Sequence, residues 1–346
     1  MRAVVFEGER KVRVDEVPDA AVERPGDALV RVTQTAICGS DLHFFHLKAP
    51  IEPGEILGHE AVGVVEAVGD QVTSVGPGDR VVVAFNIACG ECWFCTKGET
   101  SLCEDFRTLG AGAFSGGLAG TQAELVRVPG ADTNLLKIPD GVDDEKALFV
   151  SDVLTTGWYA AKLAAAAPDE TVAVVGVGPV GFCAIQSLKA QGAGTVVALD
   201  RAKDRLDLAV SAGAVVVDID ERNAEMALAS MTGDRGADVV VEAVGHPLAY
   251  ESAIDVVRRG GRVVVVGMYA GEVTEVPLGI YWARALDVRF AGVCPVHALW
   301  REVMDELAAG RLDPTPLISH RLPLIEAARG YELFDSRQAT KVLLLP

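Results

Sequence analysis

Three stretches of this 346-residue chain carry residue types that do chemistry. His59 and Glu60 stand together in Gly58-His59-Glu60-Ala61-Val62-Gly63, a further glycine follows at Gly69, and Cys38 lies upstream. An imidazole, a carboxylate and a thiol in an apolar Gly/Val setting offer N, O and S donors, a set that suits a catalytic zinc. Taken alone, His59 and Glu60 fit a buried histidine with a solvated neighbour equally well, because two adjacent polar residues are a weak signal.

The second stretch is Cys89-Gly90-Glu91-Cys92-Trp93-Phe94-Cys95, with Cys103 beyond it. Four thiolates separated by short gaps wrap one tetrahedral zinc and leave no position for substrate, so such a site holds a lobe in shape. Seven cysteines is an odd count, and four of them crowd into residues 89–103. In a large chain with no secretory segment this crowding points to a metal and not to a disulfide framework. Cys183 and Cys294 lie in apolar runs and read as core.

The third stretch is Gly176-Val177-Gly178-Pro179-Val180-Gly181. It follows the buried-strand run 172–175, opens a helical pattern, and Asp200 closes the next strand nineteen residues past Gly181. Glycines there let the backbone approach a pyrophosphate, the helix N-terminus attracts its charge, and the carboxylate binds ribose hydroxyls. Asp200 therefore predicts NAD in preference to NADP. Arg201, directly after it, is the residue that would favour a 2′-phosphate if Asp200 turned away.

These groups need elements to position them. From Val4 to about Val83 the chain shows short β-branched alternations over 11–17, 27–35, 61–68 and 80–85, broken by Gly, Pro and Asp, as in an all-β, barrel-like unit. A glycine-rich stretch from Gly110 to Gly120 leads to a strand over 123–128. Helical sequence from Asp144 and again over 156–167 then carries the chain out of this domain before Pro168. Residues 171–291 alternate strand and helix at the spacing of parallel βαβ units. Beyond them come a helix over 297–309, three prolines at 314, 316 and 323, a short helix, and a strand over 341–345.

Length favours two domains. Thirty-one Lys and Arg against forty-nine Asp and Glu, a formal net charge of −18, argue against nucleic acid or an anionic membrane as partner. The N-terminal run meets Gly8 too soon for a secretory apolar region, and no apolar stretch of about twenty residues offers a membrane span. The expectation is a cytoplasmic protein.

Read together, Cys38-Gly39-Ser40-Asp41-Leu42-His43, the Gly-His-Glu segment, the cysteine cluster and the glycine-rich loop resemble the zinc-dependent medium-chain dehydrogenases, the zinc alcohol dehydrogenase family, from Met1 to Pro346. The resemblance implies an α/β fold: a Rossmann-type doubly wound parallel sheet plus a GroES-like β-barrel catalytic domain. It divides the chain into a catalytic domain over 1–153 with a structural-zinc lobe at about 89–103, an NAD-binding domain over 154–294, and a return segment over 295–346. Cys38 and His59 match two catalytic-zinc ligands. Asp152, in Phe149-Val150-Ser151-Asp152-Val153, matches the third in the branch of secondary alcohol and formaldehyde dehydrogenases, where many other members have cysteine or glutamate. Glu60 is a fourth ligand or an orienting neighbour.

By the same resemblance Ser40 and His43 form a proton relay, and Thr156, Val244, Gly245, Val266, Gly267 and Lys341 touch the cofactor. The implied activity is reversible hydride transfer between a primary or secondary alcohol and NAD, with two zinc ions per chain. A polyol or amino-alcohol dehydrogenase is the alternative within the family, and a non-catalytic dinucleotide-binding sensor is the alternative outside it. Family members pair through the edge of the nucleotide sheet, here Ile280 to Pro295, which implies a homo-oligomer, tetramer over dimer.

Overall fold

A computed structural model describes residues 1–271 and 273–346. The chain divides into two compact units, Met1–Thr155 with Pro295–Pro346, and Thr156–Cys294.

The first unit is built on a seven-stranded sheet in which Ala28–Ile37 is central. Ala61–Val68, Leu125–Val128 and Lys341–Leu345 all pair with it antiparallel. Arg80–Val83 and Leu135–Lys137 extend the sheet on one side, and Ile318–Pro323 on the other. Alternating Val and Ala residues bury one set of side chains against Val30, Val65, Val81, Val126 and Leu135. A second core gathers Phe6, Ile37, Leu57, Leu322 and Tyr331. The strand Ile318–Pro323 was not assigned in the sequence; Pro323 is tolerated because it ends an outermost strand, where a missing N–H disrupts nothing.

Register is what brings the chemistry together. Thr35 pairs with Ala61, and Ile37 with Val342, so the residues just beyond these pairs, Cys38, Glu60 and Lys341, emerge at one end of the sheet. Val83 also pairs with Ala61, which carries Phe85 to the same end.

In the second unit six parallel strands, Thr171–Val175, Thr195–Asp200, Val215–Asp218, Ala237–Glu242, Val257–Val265 and Asp287–Phe290, lie in the order third, second, first, fourth, fifth, sixth. Continuous valine runs suit strands covered on both faces, and the core collects Ala173, Val197, Val240, Val263 and Tyr250. This is the doubly wound order whose reversal lies between the first and fourth strands. The apolar run after Ile280 is helical at first, Leu278–Ala283, and only Asp287–Phe290 joins the sheet. Among the described residues no helix is long and apolar enough to cross a membrane.

Candidate metal centres and dinucleotide site

At the shared sheet end of the first unit, ligand atoms of Cys38, His59, Glu60 and Asp152 all lie within 4.8 Å of one another. Cys38 Sγ is 3.7 Å from Asp152 Oδ2, and His59 Nε2 is 3.4 Å from the same oxygen. Ligands bonded to zinc at about 2.0–2.3 Å stand about 3.3–3.8 Å apart in a tetrahedron, so these spacings fit the ion. Glu60 is fully buried; the Lys341 ammonium meets its Oε2, while its Oε1 has no hydrogen-bond partner. Buried acceptors left in that state are costly unless a cation serves them.

Asp152 reaches the cluster from the turn after the helical segment Phe149–Ser151, where the Ser151 carbonyl accepts the Phe85 N–H at 3.4 Å. The ring of Phe85 meets that of His59 edge-on at 6.3 Å and walls this side. Gly58 has φ +93°, and a Cβ there would lie 2.3 Å from Gln122 Cγ. Only glycine delivers His59 into place.

A buried polar chain stands behind His59. Its Nδ1 lies 3.1 Å from Asp41 Oδ1, which turns Nε2 toward the cluster. Asp41 Oδ2 accepts the Cys38 N–H at 2.9 Å and the Gln122 Nε2–H at 3.2 Å, and Gln122 Oε1 accepts the Tyr331 hydroxyl at 3.0 Å. Asp41, Gln122 and Tyr331 went unassigned in the sequence. Asp41 sits inside the Cys38–His43 motif, where its acid beside a ligand is a usable signal; Gln122 and Tyr331 have no local signature.

The electrostatics are those of a site built for positive charge. Burial raises the Cys38 thiol, and the charges of Glu60 and Asp152 push it further. Burial works against a charged His59, yet Asp41's charge and the bonds to Asp152 and Asp41 outweigh it and hold the imidazole well above its ordinary range. Burial likewise raises Glu60, with Lys341 opposing. A bound divalent cation inverts this logic and favours thiolate, neutral imidazole and carboxylate together.

Lys341 occupies this cluster too: its Nζ is 2.5 Å from Glu60 Oε2 and the residue is fully buried. The resemblance implies a cofactor contact for Lys341, and in the structure its ammonium stands beside Glu60. Ser40 Oγ is 3.2 Å from His59 Nε2, and His43 is half-buried on the short helix Asp41–Phe45.

The four lobe cysteines, Cys89, Cys92, Cys95 and Cys103, also converge within 4.8 Å. Cys89 Sγ and Cys95 Sγ are 3.9 Å apart, close to the edge expected for about 2.3 Å Zn–S bonds. Cys103 Sγ accepts N–H groups of Cys89 and Asp105 at 3.3 and 3.4 Å, and Cys89 Sγ accepts that of Cys92 at 3.3 Å. Backbone donation from Glu104 and Cys95 brings Cys92 down to about 6, a thiol readily made thiolate, while burial takes Cys95 up to about 12. The set fits a closed tetrahedral zinc.

In the second unit the glycine-rich loop joins the first strand to the helix Pro179–Ala190. Gly176 adopts φ +86°, Gly178 caps the helix, Pro179 and Val180 fill its first turn, and a Cβ at Gly181 would lie 1.9 Å from the Gly176 carbonyl oxygen. The unfilled N–H groups of that helix end form an anion cradle. Asp200 ends the second strand: Oδ2 accepts the Val177 N–H at 2.7 Å, and Oδ1 accepts those of Arg201 and Ala202 at 2.7 and 3.0 Å. A carboxylate offers about four acceptor sites, so a ribose hydroxyl still finds room. Arg201 is exposed. Val244 and Gly245 form the turn after the fourth strand, Val266 and Gly267 the turn after the fifth, and Thr156 is half-buried in the helix Val153–Ala164.

Comparison with known proteins agrees with this geometry. Residues 24–140 match the family model "Alcohol dehydrogenase GroES-like domain" and residues 179–309 match "Zinc-binding dehydrogenase". A relative from Mycobacterium tuberculosis, named as a zinc-binding alcohol dehydrogenase, is 41% identical over 99% of this chain and 87% of its own length. The solved alcohol dehydrogenase of Thermus sp. ATN1 superposes with a TM-score of 0.95 at 44% identity, covering 100% of this chain and 99% of that one. A zinc-binding dehydrogenase from Sinorhizobium meliloti, solved with NADP bound, gives a TM-score of 0.88 at 30% identity over 100% and 99% of the two chains.

Proposed function

The chain belongs to the zinc-dependent alcohol dehydrogenase family, a family of oxidoreductases, and we propose that it transfers hydride reversibly between primary or secondary alcohols and NAD. The observation that carries this reading is the convergence of Cys38, His59 and Asp152 with Glu60 at one sheet end. Cys38, His59 and Asp152 would hold a catalytic zinc, and the four lobe cysteines a second, structural one. When bound, the catalytic ion supplies Lewis acidity that eases loss of an alcohol's proton or polarises a carbonyl. The dinucleotide supplies the hydride acceptor.

The protein's own residues do the rest. Asp41 holds His59 with Nε2 turned to the cluster, and the Lys341 ammonium beside Glu60 opposes the effect of burial on its carboxyl. Ser40 Oγ would accept the alcohol proton as it releases its own toward His43, whose imidazole would pass a proton on to solvent. The loop Gly176–Gly181 seats the pyrophosphate, and Asp200 the ribose. Turnover of a panel of alcohols with NAD, lost in Cys38→Ser, tests the reading; inactivity of zinc-replete protein toward every alcohol, aldehyde and polyol in the panel would refute it.

We further infer a homo-oligomer, tetramer over dimer. In support, Asp287–Phe290 is an open sheet edge, and Phe290, Leu278 and Trp282 near it are exposed. A monomer by light scattering at micromolar concentration would overturn this. An acidic chain whose cysteines form no disulfide among the described residues suits the reducing cytoplasm.

A further inference from the structure

Glu242 ends the fourth strand of the nucleotide sheet, in register with Val175 and so next to the start of the glycine-rich loop. Its side chain is fully buried. Oε1 accepts the Val244 N–H at 2.7 Å and the Gly245 N–H at 2.8 Å. The main-chain carbonyl of the same residue accepts the N–H groups of Val266 and Gly267 at 2.9 and 3.1 Å. One residue thus ties the turn after the fourth strand to the turn after the fifth.

Glycines close the assembly. A Cβ on Gly245, φ +75°, would lie 2.2 Å from the Met268 carbonyl oxygen, and one on Gly267 would lie 2.1 Å from Gly245 N and 2.7 Å from Glu242 Oε2. On Gly176 it would lie 2.3 Å from Val244 Cγ2. Three turns at the C-terminal ends of neighbouring strands are therefore packed around one carboxylate, at the end where a doubly wound sheet takes its ligand. The Tyr269 hydroxyl is the carboxylate's side-chain neighbour. A leucine would fill this space without burying a carboxylate; what the carboxylate adds is the fixed aim of two N–H groups.

We propose that Glu242 is a positioning residue for the dinucleotide, its carboxylate holding the Val244–Gly245 turn against the Gly176–Gly181 loop so that the rim of the cofactor site is set before the cofactor arrives. This rests on the dinucleotide reading of that loop. Its effect falls on cofactor affinity and leaves the metal centre of the other unit untouched.

The test titrates NADH and NADPH into full-length wild type, Glu242→Asp, Glu242→Gln and Glu242→Ala by nicotinamide fluorescence, with zinc content and KM values for NAD and an alcohol measured alongside. Aspartate retracts the carboxylate by about 1.5 Å, while glutamine keeps an acceptor in place. Glu242→Asp and Glu242→Ala are expected to weaken NADH binding about tenfold or more, from the lost charge-assisted hydrogen bonds. Glu242→Gln should stay within about threefold, because it keeps the acceptor. KM for NAD should rise with the Kd, while zinc content and KM for the alcohol hold. If Glu242→Ala does not fold, Glu242→Asp decides alone. Wild-type affinity in Glu242→Asp overturns the proposal, and so does Glu242→Gln binding as weakly as Glu242→Asp. Wild type that binds neither dinucleotide refutes the reading of the glycine loop itself, and the proposal with it.

Discussion

Lys341 Nζ stands 2.5 Å from Glu60 Oε2, with both side chains sealed from solvent. The two residues are far apart in sequence and meet because Val342 pairs with Ile37 and Ala61 with Thr35 on the same central strand. Burial works against Lys341's charge, and the charges of Glu60 and Cys38 restore it, raising the ammonium above its ordinary value. Removing one member of such a pair strands the other. Lys341→Met is expected to cost roughly 3–5 kcal/mol in urea unfolding, and Glu60→Gln added to it should recover most of the loss. If Glu60→Gln costs the same with and without Lys341→Met, the two residues are not coupled.

The two cysteine-bearing centres should come apart by mutation. Native protein is expected to hold two zinc ions per chain by elemental analysis. Cys38→Ser should retain the fold and about one zinc while losing turnover, whereas Cys95→Ser should lower the melting temperature, since the ordering of residues 89–103 depends on their ion. One zinc or none in carefully prepared native protein would refute the two-site reading.

Much of this architecture is legible in local sequence, and the reason is range. The parallel sheet announces itself through valine runs alternating with helices, and the lobe cysteines Cys89, Cys92 and Cys95 lie close together in the chain. The partners of His59 do not. Gln122 and Tyr331 reach Asp41 only through strand register and the return of the C-terminal segment, so neither carries a motif. Lys341 shows the same limit: nothing in its local sequence announces Glu60, which the pairing of its strand brings to it. The helix Leu278–Ala283 was hidden because an apolar run this short fits either period.

His297 supplies a further pH dependence. Its Nε2 lies 2.8 Å from Asn134 Oδ1, in a buried cluster where Asn134 also holds both the N–H and the carbonyl of Ala88. Burial, only partly opposed by the Asn86 backbone, lowers the imidazole to about 4. Between there and the ordinary value of about 6.5 the unfolded chain binds a proton that the folded chain refuses, so stability is full above that range and falls as pH drops through it. The loss integrates to roughly 3 kcal/mol. Urea midpoints for wild type and His297→Gln between pH 7.5 and 4.5 isolate it, because other groups titrate alike in both. Equal slopes for the two proteins would show that His297 is not the source.

Asp200 is expected to set the choice between NAD and NADP. Its carboxylate already fixes the glycine loop through the Val177 N–H and its own turn through Arg201 and Ala202, so it cannot swing away without releasing three bonds. A 2′-phosphate would bring about two negative charges to within roughly 4 Å of it. Each pair of unit charges at that distance costs about 1 kcal/mol at water-like dielectric and about 4 at an effective value near 20. Together with the ribose hydrogen bonds forgone, even the lower figure predicts discrimination of roughly a hundredfold. Arg201 and Arg205 pull the other way. Arg205 is 4.0 Å from Asp200 and the exposed Arg201 is 3.8 Å from Asp220, so both guanidiniums are near enough to receive a phosphate once the acid is gone. Asp200→Gly should therefore lower kcat/KM with NAD through the slackened loop while raising the NADP to NAD ratio by about tenfold or more. The ratio is the diagnostic, because loss of the Val177 anchor weakens both cofactors alike. Equal use of NAD and NADP by the wild type, or an unchanged ratio in Asp200→Gly, would show that the preference is set elsewhere.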